Sequence, residues 1–165
     1  MDTGLSPIVA VLGANAGLVK EAIWSEAVTM VINKDWEEGM ASSIRCGLET
    51  LLEINPDLKA VIIMVCDQPF VTTKLLNDLL ENYQQVNKPM VASKYGNSVG
   101  TPALFDTTIF ASLLALQGDR GAKKLITENP DWLSLVDFPL GDFDIDTQED
   151  YDALTASAGP SEEGE

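Results

Sequence analysis

An uninterrupted apolar run that ends in an acid constrains the fold of this chain more than any other segment. The run extends from Ala60 to Cys66 and is followed by Asp67, Gln68 and Pro69. Seven uncharged residues without alternation predict a strand that is buried on both faces, as in the centre of a parallel sheet. Because burying an unpaired carboxylate is costly, Asp67 is expected where the strand emerges. Cys66 is interpreted as a small core residue.

The position of Asp67 supports two interpretations. Ligands of open α/β sheets bind at the carboxyl ends of strands, where an acid can hold a metal ion against a phosphate. The same Asp-Gln-Pro sequence also makes a good turn, because Asp opens turns and Pro stops strands. The residues alone leave both interpretations open.

The composition limits the partners and the chemistry. The chain has 165 residues, a formal net charge of −16 and 45% hydrophobic residues, which fits one globular domain with a substantial core. A chain this acidic is not expected to bind nucleic acid or an anionic membrane surface. The sequence contains no histidine, which excludes Ser-His-Asp triads and His-based zinc sites. Cys46 and Cys66 form no metal or redox motif, which favours a reducing cytoplasm.

Strand and helix patterns alternate along almost the whole chain. Strands separated by helices form βαβ units, so we predict an α/β fold with a mainly parallel sheet covered by helices on both faces. We predict a single domain over residues 1–156. The tail, residues 157–165, consists mainly of Gly, Pro, Ser and Glu and is expected to be disordered. No segment is long and apolar enough for a membrane helix, and none has the pattern of a signal peptide.

Capping residues mark the starts of two predicted helices. Thr72 or Thr73 can cap a helix whose buried side is formed by leucines. Thr147 opens the last helix with a capping box in which Asp150 is the acidic partner.

Three acids precede this last helix at alternating positions: Asp142, Asp144 and Asp146. In an extended segment all three lie on one face. They resemble the start of a calcium loop, but Thr147 and Ala153 stand where such a loop needs Gly and Glu. Two interpretations remain. Either one of these acids joins Asp67 around a hard metal ion, or the acids stabilise the helix dipole.

Two other stretches have the composition of a binding site. Residues Glu38 to Ser43 place small and hydroxyl side chains at a predicted helix start, where free N–H groups can hold an anion or a base edge. Simple helix capping is the alternative for this stretch. Residues Gly118 to Gly121 include Arg120, which can make a forked contact with a phosphate. The alternative here is a loop with one surface ion pair.

Six motifs, taken in their order along the chain, indicate a family resemblance over residues 8–154. These motifs are Val11–Ala16, Asn33–Arg45, Asp67–Pro69, Gly100–Pro102, Gly118–Gly121 and Asp144–Asp150. With them the chain resembles the molybdenum-cofactor cytidylyltransferase-like branch of the nucleotidyltransferase superfamily. The resemblance implies a Rossmann-like sheet and a magnesium-dependent transfer of CMP or GMP from CTP or GTP. The acceptor it implies is a phosphate on a molybdopterin-type cofactor.

The resemblance also implies a role for individual residues. Asp67 and Asp146 match the catalytic acids that bind Mg²⁺. The element that binds the nucleotide base matches Gly39, Met40, Ser42 and Ser43. The stretches near the acceptor site match Gly100, Thr101, Asp119 and Arg120.

The first strand of the family and its Gly-rich loop have no counterpart in this sequence. The loop pattern is L-A-A-G-x-S-x-R-M-G, and its arginine and a following lysine supply positive charge to the triphosphate. The sheet is therefore expected to lack a strand that is usually central, which leaves unpaired backbone groups at an exposed edge. We predict that a partner chain, as in a homodimer, covers this edge, or that the neighbouring strands close up.

The leading hypothesis is a nucleotidyltransferase domain, active or inactive in this form. One alternative is a non-catalytic protein, derived from the same fold, that binds a cofactor or a partner. A second alternative is a nucleotidyltransferase whose acceptor is a sugar phosphate. The leading hypothesis depends on Asp67 and Asp146, which must converge in space.

Overall fold

Strands and helices alternate along the computed structural model, which describes residues 4–23 and 27–157. The strands are β1 (Ile8–Leu12), β2 (Val28–Ile32), β3 (Ala60–Ile63), β4 (Met90–Tyr95), β5 (Ser98–Asp106) and β6 (Leu133–Asp137). The helices are α1 (Ala16–Ala22), α2 (Met40–Ile54), α3 (Thr73–Val86), α4 (Thr107–Leu114), α5 (Lys123–Glu128) and α6 (Gln148–Ser157). Residues 158–165 of the predicted tail lie outside the described residues. Over the described ranges, no helix is both long and apolar enough to cross a membrane.

The strands form two separate sheets. β1 and β2 pair in parallel, with Ile8 opposite Val28. The larger sheet has the order β3-β5-β4-β6, in which β5 is antiparallel to β3 and β4, while β4 and β6 are parallel. The predicted α/β class is confirmed. The larger sheet is mixed because β5 follows β4 through the short turn at Gly96 and Asn97, and a turn this tight joins only antiparallel strands.

Alternation along β4 and β5 divides the core into two layers. One face of the sheet packs against α2, α4 and α5, and the opposite face packs against α3. Met90 and Phe105 point into the first layer, whereas Val91 and Leu104 point into the second. Helices therefore cover both faces of this sheet, as predicted.

β3 is shorter and less buried than the sequence predicted. It contains only Ala60–Ile63, and all four residues are half-buried. Met64 is 48% exposed, and the thiol residue Cys66 is also exposed. The predictions of burial on both faces and of a core position for Cys66 are therefore wrong. Among the described strands β3 pairs only with β5, so it lies at the edge of the four-stranded sheet, and Cys66 lies in the turn that follows β3.

β1 and β3 both pack against α2 but do not pair with each other. Gly47 of α2 lies directly against Val11 of β1. Val61 and Ile63 of β3 pack against the cluster that contains Leu48 of α2. Because β1 pairs only with β2 and β3 only with β5 within the described ranges, the two strands have not closed up. Each of them keeps an edge without a partner strand in this part of the chain.

Candidate functional site

The segment after β3 lies against residues 141–146, which contain the three acids that precede α6 and are called the acidic segment below. The backbone N–H of Ile145 donates a hydrogen bond to the carbonyl oxygen of Asp67 at 2.9 Å. The Nε2 of Gln68 donates to the carbonyl oxygen of Gly141, also at 2.9 Å and across 73 positions of sequence. These two bonds fix the acidic segment beside Asp67. Asp144 and Asp146 flank Ile145, so the structure brings both close to Asp67 along the backbone.

Negative charge accumulates where these segments meet. Partial burial raises the pKa of the Asp144 carboxyl, and the charges of Asp67, Asp146 and Asp142 raise it further. Such a concentration of like charge attracts a cation. Among the described residues, no three acidic or cysteine side chains converge closely enough to form a metal site on their own. Any ion held here would therefore take further ligands from water or from a substrate.

One oxygen of Asp67 suits a metal ligand. Its Oδ1 is buried and has no hydrogen-bond partner within the described part of the chain. A buried carboxylate oxygen without a donor costs free energy, and a bound cation would offset that cost. Mg²⁺ is usually held by one or two carboxylates and completes its shell with waters and phosphate oxygens. Asp67 can supply one such carboxylate, and Asp144 and Asp146 lie on the segment beside it.

Gly100, a predicted acceptor-site residue, is buried beneath Tyr95. A Cβ atom at position 100 would collide with the hydroxyl oxygen of Tyr95, so only glycine fits there without a shift. Thr101 follows directly in β5 and is half-buried. The predicted acceptor stretch therefore lies directly against the Tyr95 hydroxyl.

Tyr95 connects this stretch to the acidic segment. Its ring packs edge-on against Phe138, with 6.4 Å between the ring centroids. A Cβ atom on Gly141 would lie 2.5 Å from the Tyr95 ring, so the start of the acidic segment is in direct contact with it. Burial raises the pKa of the Tyr95 hydroxyl, and the charges of Asp144 and Asp142 raise it further. Asp67, the acidic segment and Gly100 thus form one group of neighbouring residues.

A second group forms where α2 begins. The backbone N–H of Ala41 donates to the carbonyl oxygen of Gly118 at 3.0 Å. Gly39 has a φ of +114°, and a Cβ atom there would lie only 2.8 Å from the backbone nitrogen of Asp119. The N–H of Ser42 is also used, because it donates to the carbonyl oxygen of Gly39 at 3.2 Å. Two N–H groups of the predicted anion site are therefore already bonded within the protein.

The Gly118–Gly121 stretch packs on the predicted base-binding element. A Cβ atom on Gly121 would lie 2.6 Å from the sulfur of Met40, whose side chain is 50% exposed. Asp119 and Arg120 are exposed, and Arg120 makes no ion pair among the described residues. The structure therefore places these two residues with Gly39 and Met40, whereas the resemblance had grouped them with Gly100 and Thr101.

An ion pair also stabilises the contact between the start of α2 and the Gly118–Gly121 stretch. Arg45 of α2 binds Glu38 at 2.5 Å and donates to the carbonyl oxygen of Leu116 at 2.6 Å. Hydrogen bonds from Arg45 and from the N–H of Gly118 lower the pKa of Glu38. Arg45 therefore ties the start of α2 to the loop that follows α4.

Asn33, directly after β2, holds the two serines of the predicted base-binding element by hydrogen bonds. Asn33 is 4% exposed, and its Nδ2 donates to the hydroxyl oxygens of Ser42 at 2.8 Å and Ser43 at 3.1 Å. Ser42 in turn donates to the carbonyl oxygen of Gly39 at 2.8 Å, so its hydroxyl is engaged in both directions. The half-buried Ser43 accepts from Asn33, and its own proton has no partner among the described residues. Ser43 is therefore the serine with a donor available to a ligand.

The predicted capping residues are confirmed. Thr72 accepts a hydrogen bond from the N–H of Leu75 at 3.2 Å. Thr147 and Asp150 form a reciprocal box, with bonds of 3.2 Å to the hydroxyl and 2.9 Å to the carboxylate. Asp146 contributes only its backbone N–H to this box. The capping interpretation thus accounts for Thr147 and Asp150 and leaves the carboxylate of Asp146 available.

Sequence reasoning missed the roles of Asn33, Gln68 and Tyr95. Asn33 and Gln68 lie inside motifs that carry the family resemblance, and the signal that could have identified them is a polar residue next to an apolar strand. Tyr95 gave no such signal, because its importance comes from contacts with Gly100 and Gly141 that only the folded chain makes.

A family model for the MobA-like NTP transferase domain matches residues 2–132. The chain belongs to this family. It is therefore an enzyme domain of the nucleotidyltransferase type. The matched range contains Asp67, the start of α2 and the Gly118–Gly121 stretch, and it ends before the acidic segment.

Individual proteins are similar to this chain over most of its length. The chain is 28% identical over 162 residues to Nicotine blue oxidoreductase of Paenarthrobacter nicotinovorans, and the match covers 92% of this chain and 73% of that protein. The crystal structure of the Rv0371C complex with manganese from Mycobacterium tuberculosis matches with a TM-score of 0.74 and 27% identity, over 94% of this chain and 80% of that one. Molybdopterin-guanine dinucleotide biosynthesis protein A from Archaeoglobus fulgidus shares the fold, with a TM-score of 0.58, 16% identity and coverage of 91% and 77%.

Proposed function

We propose that this protein transfers CMP or GMP from CTP or GTP to a phosphate on a molybdopterin-type cofactor, with Mg²⁺ as its metal. The observation that carries the proposal is the buried Oδ1 of Asp67, which has no partner among the described residues. It belongs to the residue whose backbone binds Ile145 of the acidic segment. Manganese in the Rv0371C complex supports the use of a divalent ion. The name of the Archaeoglobus fulgidus protein supports the acceptor. We propose the cytoplasm as its location, because Cys46 and Cys66 are both free thiols.

The proposed transfer needs no side chain that acts as a nucleophile or as a general base. An oxygen of the acceptor phosphate bonds to the α-phosphorus of the nucleotide. The bond between this phosphorus and the oxygen that bridges the α- and β-phosphates breaks, and pyrophosphate leaves. The acceptor oxygen is already anionic, so no general base is needed in a chain without histidine. Asp67 and Asp146 would hold the metal, which when bound neutralises phosphate charge and aligns the attack.

The remaining groups bind and orient the substrates. The hydroxyl proton of Ser43 is available to a carbonyl oxygen or ring nitrogen of the base. Arg120 is exposed and free of ion pairs among the described residues, so it can pair with a phosphate. Arg120 and the metal ion matter because the net charge of −16 on the protein otherwise repels a triphosphate.

A release assay tests the proposed reaction. The protein is incubated with Mg²⁺, CTP or GTP, and either molybdopterin or a sugar phosphate, and pyrophosphate is measured. We expect release with molybdopterin and one nucleotide, and we expect EDTA to abolish it. Release with the sugar phosphate instead would favour that acceptor, and no release with either acceptor would contradict the enzymatic proposal.

A non-catalytic binding protein is the second candidate. It is favoured because two N–H groups of the predicted anion site, those of Ala41 and Ser42, are already bonded within the protein. Calorimetry separates the two candidates. Molybdopterin binding without nucleotide binding supports the second candidate, and binding of neither ligand contradicts both.

We further propose that the open edges of β1 and β3 are covered in a homodimer. Both strands are apolar and half-exposed, and Ile8 of β1 is 47% exposed. Exposed apolar edges favour pairing with another chain, and a lysine on such an edge opposes it. We expect sedimentation to reveal a dimer that Ile8→Lys dissociates. The matched change Leu18→Lys, on the exposed face of α1, should leave it intact. A wild-type monomer at every concentration would contradict this proposal.

A further inference from the structure

Gln68 directly follows Asp67 and is almost fully buried, with 7% of its surface exposed. Its Nε2 donates to the carbonyl oxygen of Gly141, but its Oε1 is buried and has no partner among the described residues. A buried amide with one unsatisfied oxygen costs free energy, and an apolar side chain of similar size would avoid that cost. Packing alone therefore does not explain a glutamine at this position.

The hydrogen bond from Gln68 acts together with two other contacts. It holds the start of the acidic segment at Gly141, and the bond from Ile145 to Asp67 holds the segment near its end. Between them, Phe143 packs edge-on against Phe70, with 5.4 Å between the ring centroids. Gln68 provides the side-chain hydrogen bond of this set.

These contacts oppose electrostatic repulsion. The acidic segment carries three carboxylates and lies beside the negative charge of Asp67. Without a cation, like charges at close range push the segment away from Asp67. A hydrogen bond that keeps the segment in place before a metal arrives reduces the cost of organising the site.

From this geometry we infer that Gln68 is a positioning residue for the divalent metal site, holding the acidic segment so that its carboxylates stay beside Asp67. The inference deepens the proposed function and rests on its metal site. Gln68 acts through Gly141 and does not itself contact the reacting atoms. Its loss should therefore affect metal affinity more than the overall stability of the fold.

The variant Gln68→Met tests this inference. Methionine keeps the side-chain length and removes both the donor and the unsatisfied Oε1, so the thermal midpoint of the metal-free protein should change little. Hydrogen exchange at the Ile145 amide should become about 10-fold faster, and the Kd for Mn²⁺, measured from the electron paramagnetic resonance of the free ion, should rise about 10- to 100-fold. Gln85→Met, on the exposed side of α3, is the matched control and should change neither quantity. Gln68→Asn, whose shorter amide does not reach Gly141, should reproduce the effect if Gln68→Met folds poorly.

Several outcomes would contradict the positioning role of Gln68. Unchanged exchange at Ile145, or unchanged Mn²⁺ affinity despite faster exchange, overturns the positioning role of Gln68. A large fall in the thermal midpoint with metal affinity preserved also overturns it, because that is the signature of a purely structural residue. If the wild-type protein does not bind Mn²⁺ at all, the proposed metal site fails as well, and the exchange data still report separately whether Gln68 holds the segment.

Discussion

Replacing Gly39 by alanine is expected to destabilise the protein by about 3 kcal/mol. Gly39 has φ +114° and ψ −171°, a backbone conformation that is almost restricted to glycine. A Cβ atom there would also lie 2.8 Å from the backbone of Gly118 and of Asp119, and backbone atoms yield less easily than the end of a flexible side chain. Strain and collision act at the same position, so their costs combine.

Urea denaturation measures this loss of unfolding free energy directly. The matched control is Gly17→Ala in α1, where an added Cβ would meet no atom within 4 Å. That control should gain about 0.5–1 kcal/mol, because alanine favours a helix over glycine. A Gly39→Ala protein as stable as the wild type would mean that the start of α2 does not pack on the Gly118 loop as described.

The same substitution should also weaken nucleotide binding. Gly39 lies between the Gly118 loop and Ser42, which bonds to both Gly39 and Asn33, so an added methyl group should separate the proposed base-binding element from Asp119. Calorimetry with CTP or GTP measures this second effect. We therefore expect both the proposed nucleotide site and the stability of the fold to depend on Gly39.

Features set by neighbouring residues could be predicted from the sequence. Thr72 and the box of Thr147 and Asp150 cap their helices because the bonded groups lie within three positions of each other. The alternation of side chains between the two faces of β4 and β5 likewise follows from strand geometry. These features depend on short-range chemistry, which the order of residues determines directly.

The burial of β3 could not be predicted in the same way. Its apolar run indicates a strand, but the exposure of that strand depends on what pairs with its second edge. That neighbour would come from elsewhere in sequence, and within the described ranges no strand takes the position. Cys66 is exposed because it lies in the turn that follows β3, although its residue type is typical of a core.

The candidate site was predicted only in part, because its contacts join distant segments. The proximity of Asp67 to the residues around Asp146 came from the family resemblance and not from spacing along the chain. The bond from Ile145 to Asp67 accounts for that proximity physically. The roles of Gln68 and Asn33 depend on partners that a linear pattern does not identify, namely the Gly141 carbonyl and the Ser43 hydroxyl.

Replacing Asp67 by asparagine should lower Mn²⁺ affinity and the rate of nucleotide transfer by about 100-fold or more, while slightly raising thermal stability without metal. Asparagine keeps the size of the side chain, and the carbonyl oxygen that accepts from Ile145 belongs to the backbone, so the acidic segment stays docked. The substitution removes the negative charge that a cation needs. It also removes one of the charges that raise the pKa of Asp144, so that pKa should fall toward its ordinary value.

The opposite signs of these effects make the prediction specific to a metal site. A residue needed only for a turn would lose stability when changed and would leave Mn²⁺ binding intact, whereas a metal-binding acid loses affinity and gains stability by relief of repulsion. Asp57→Asn, an exposed change of the same kind in the loop after α2, should alter neither property. Mn²⁺ titrations and thermal unfolding of Asp146→Asn and Asp144→Asn then identify the second ligand. The acid that shares the ion with Asp67 must reproduce the paired loss and gain, and an acid that only adds charge nearby should raise stability with a small loss of affinity.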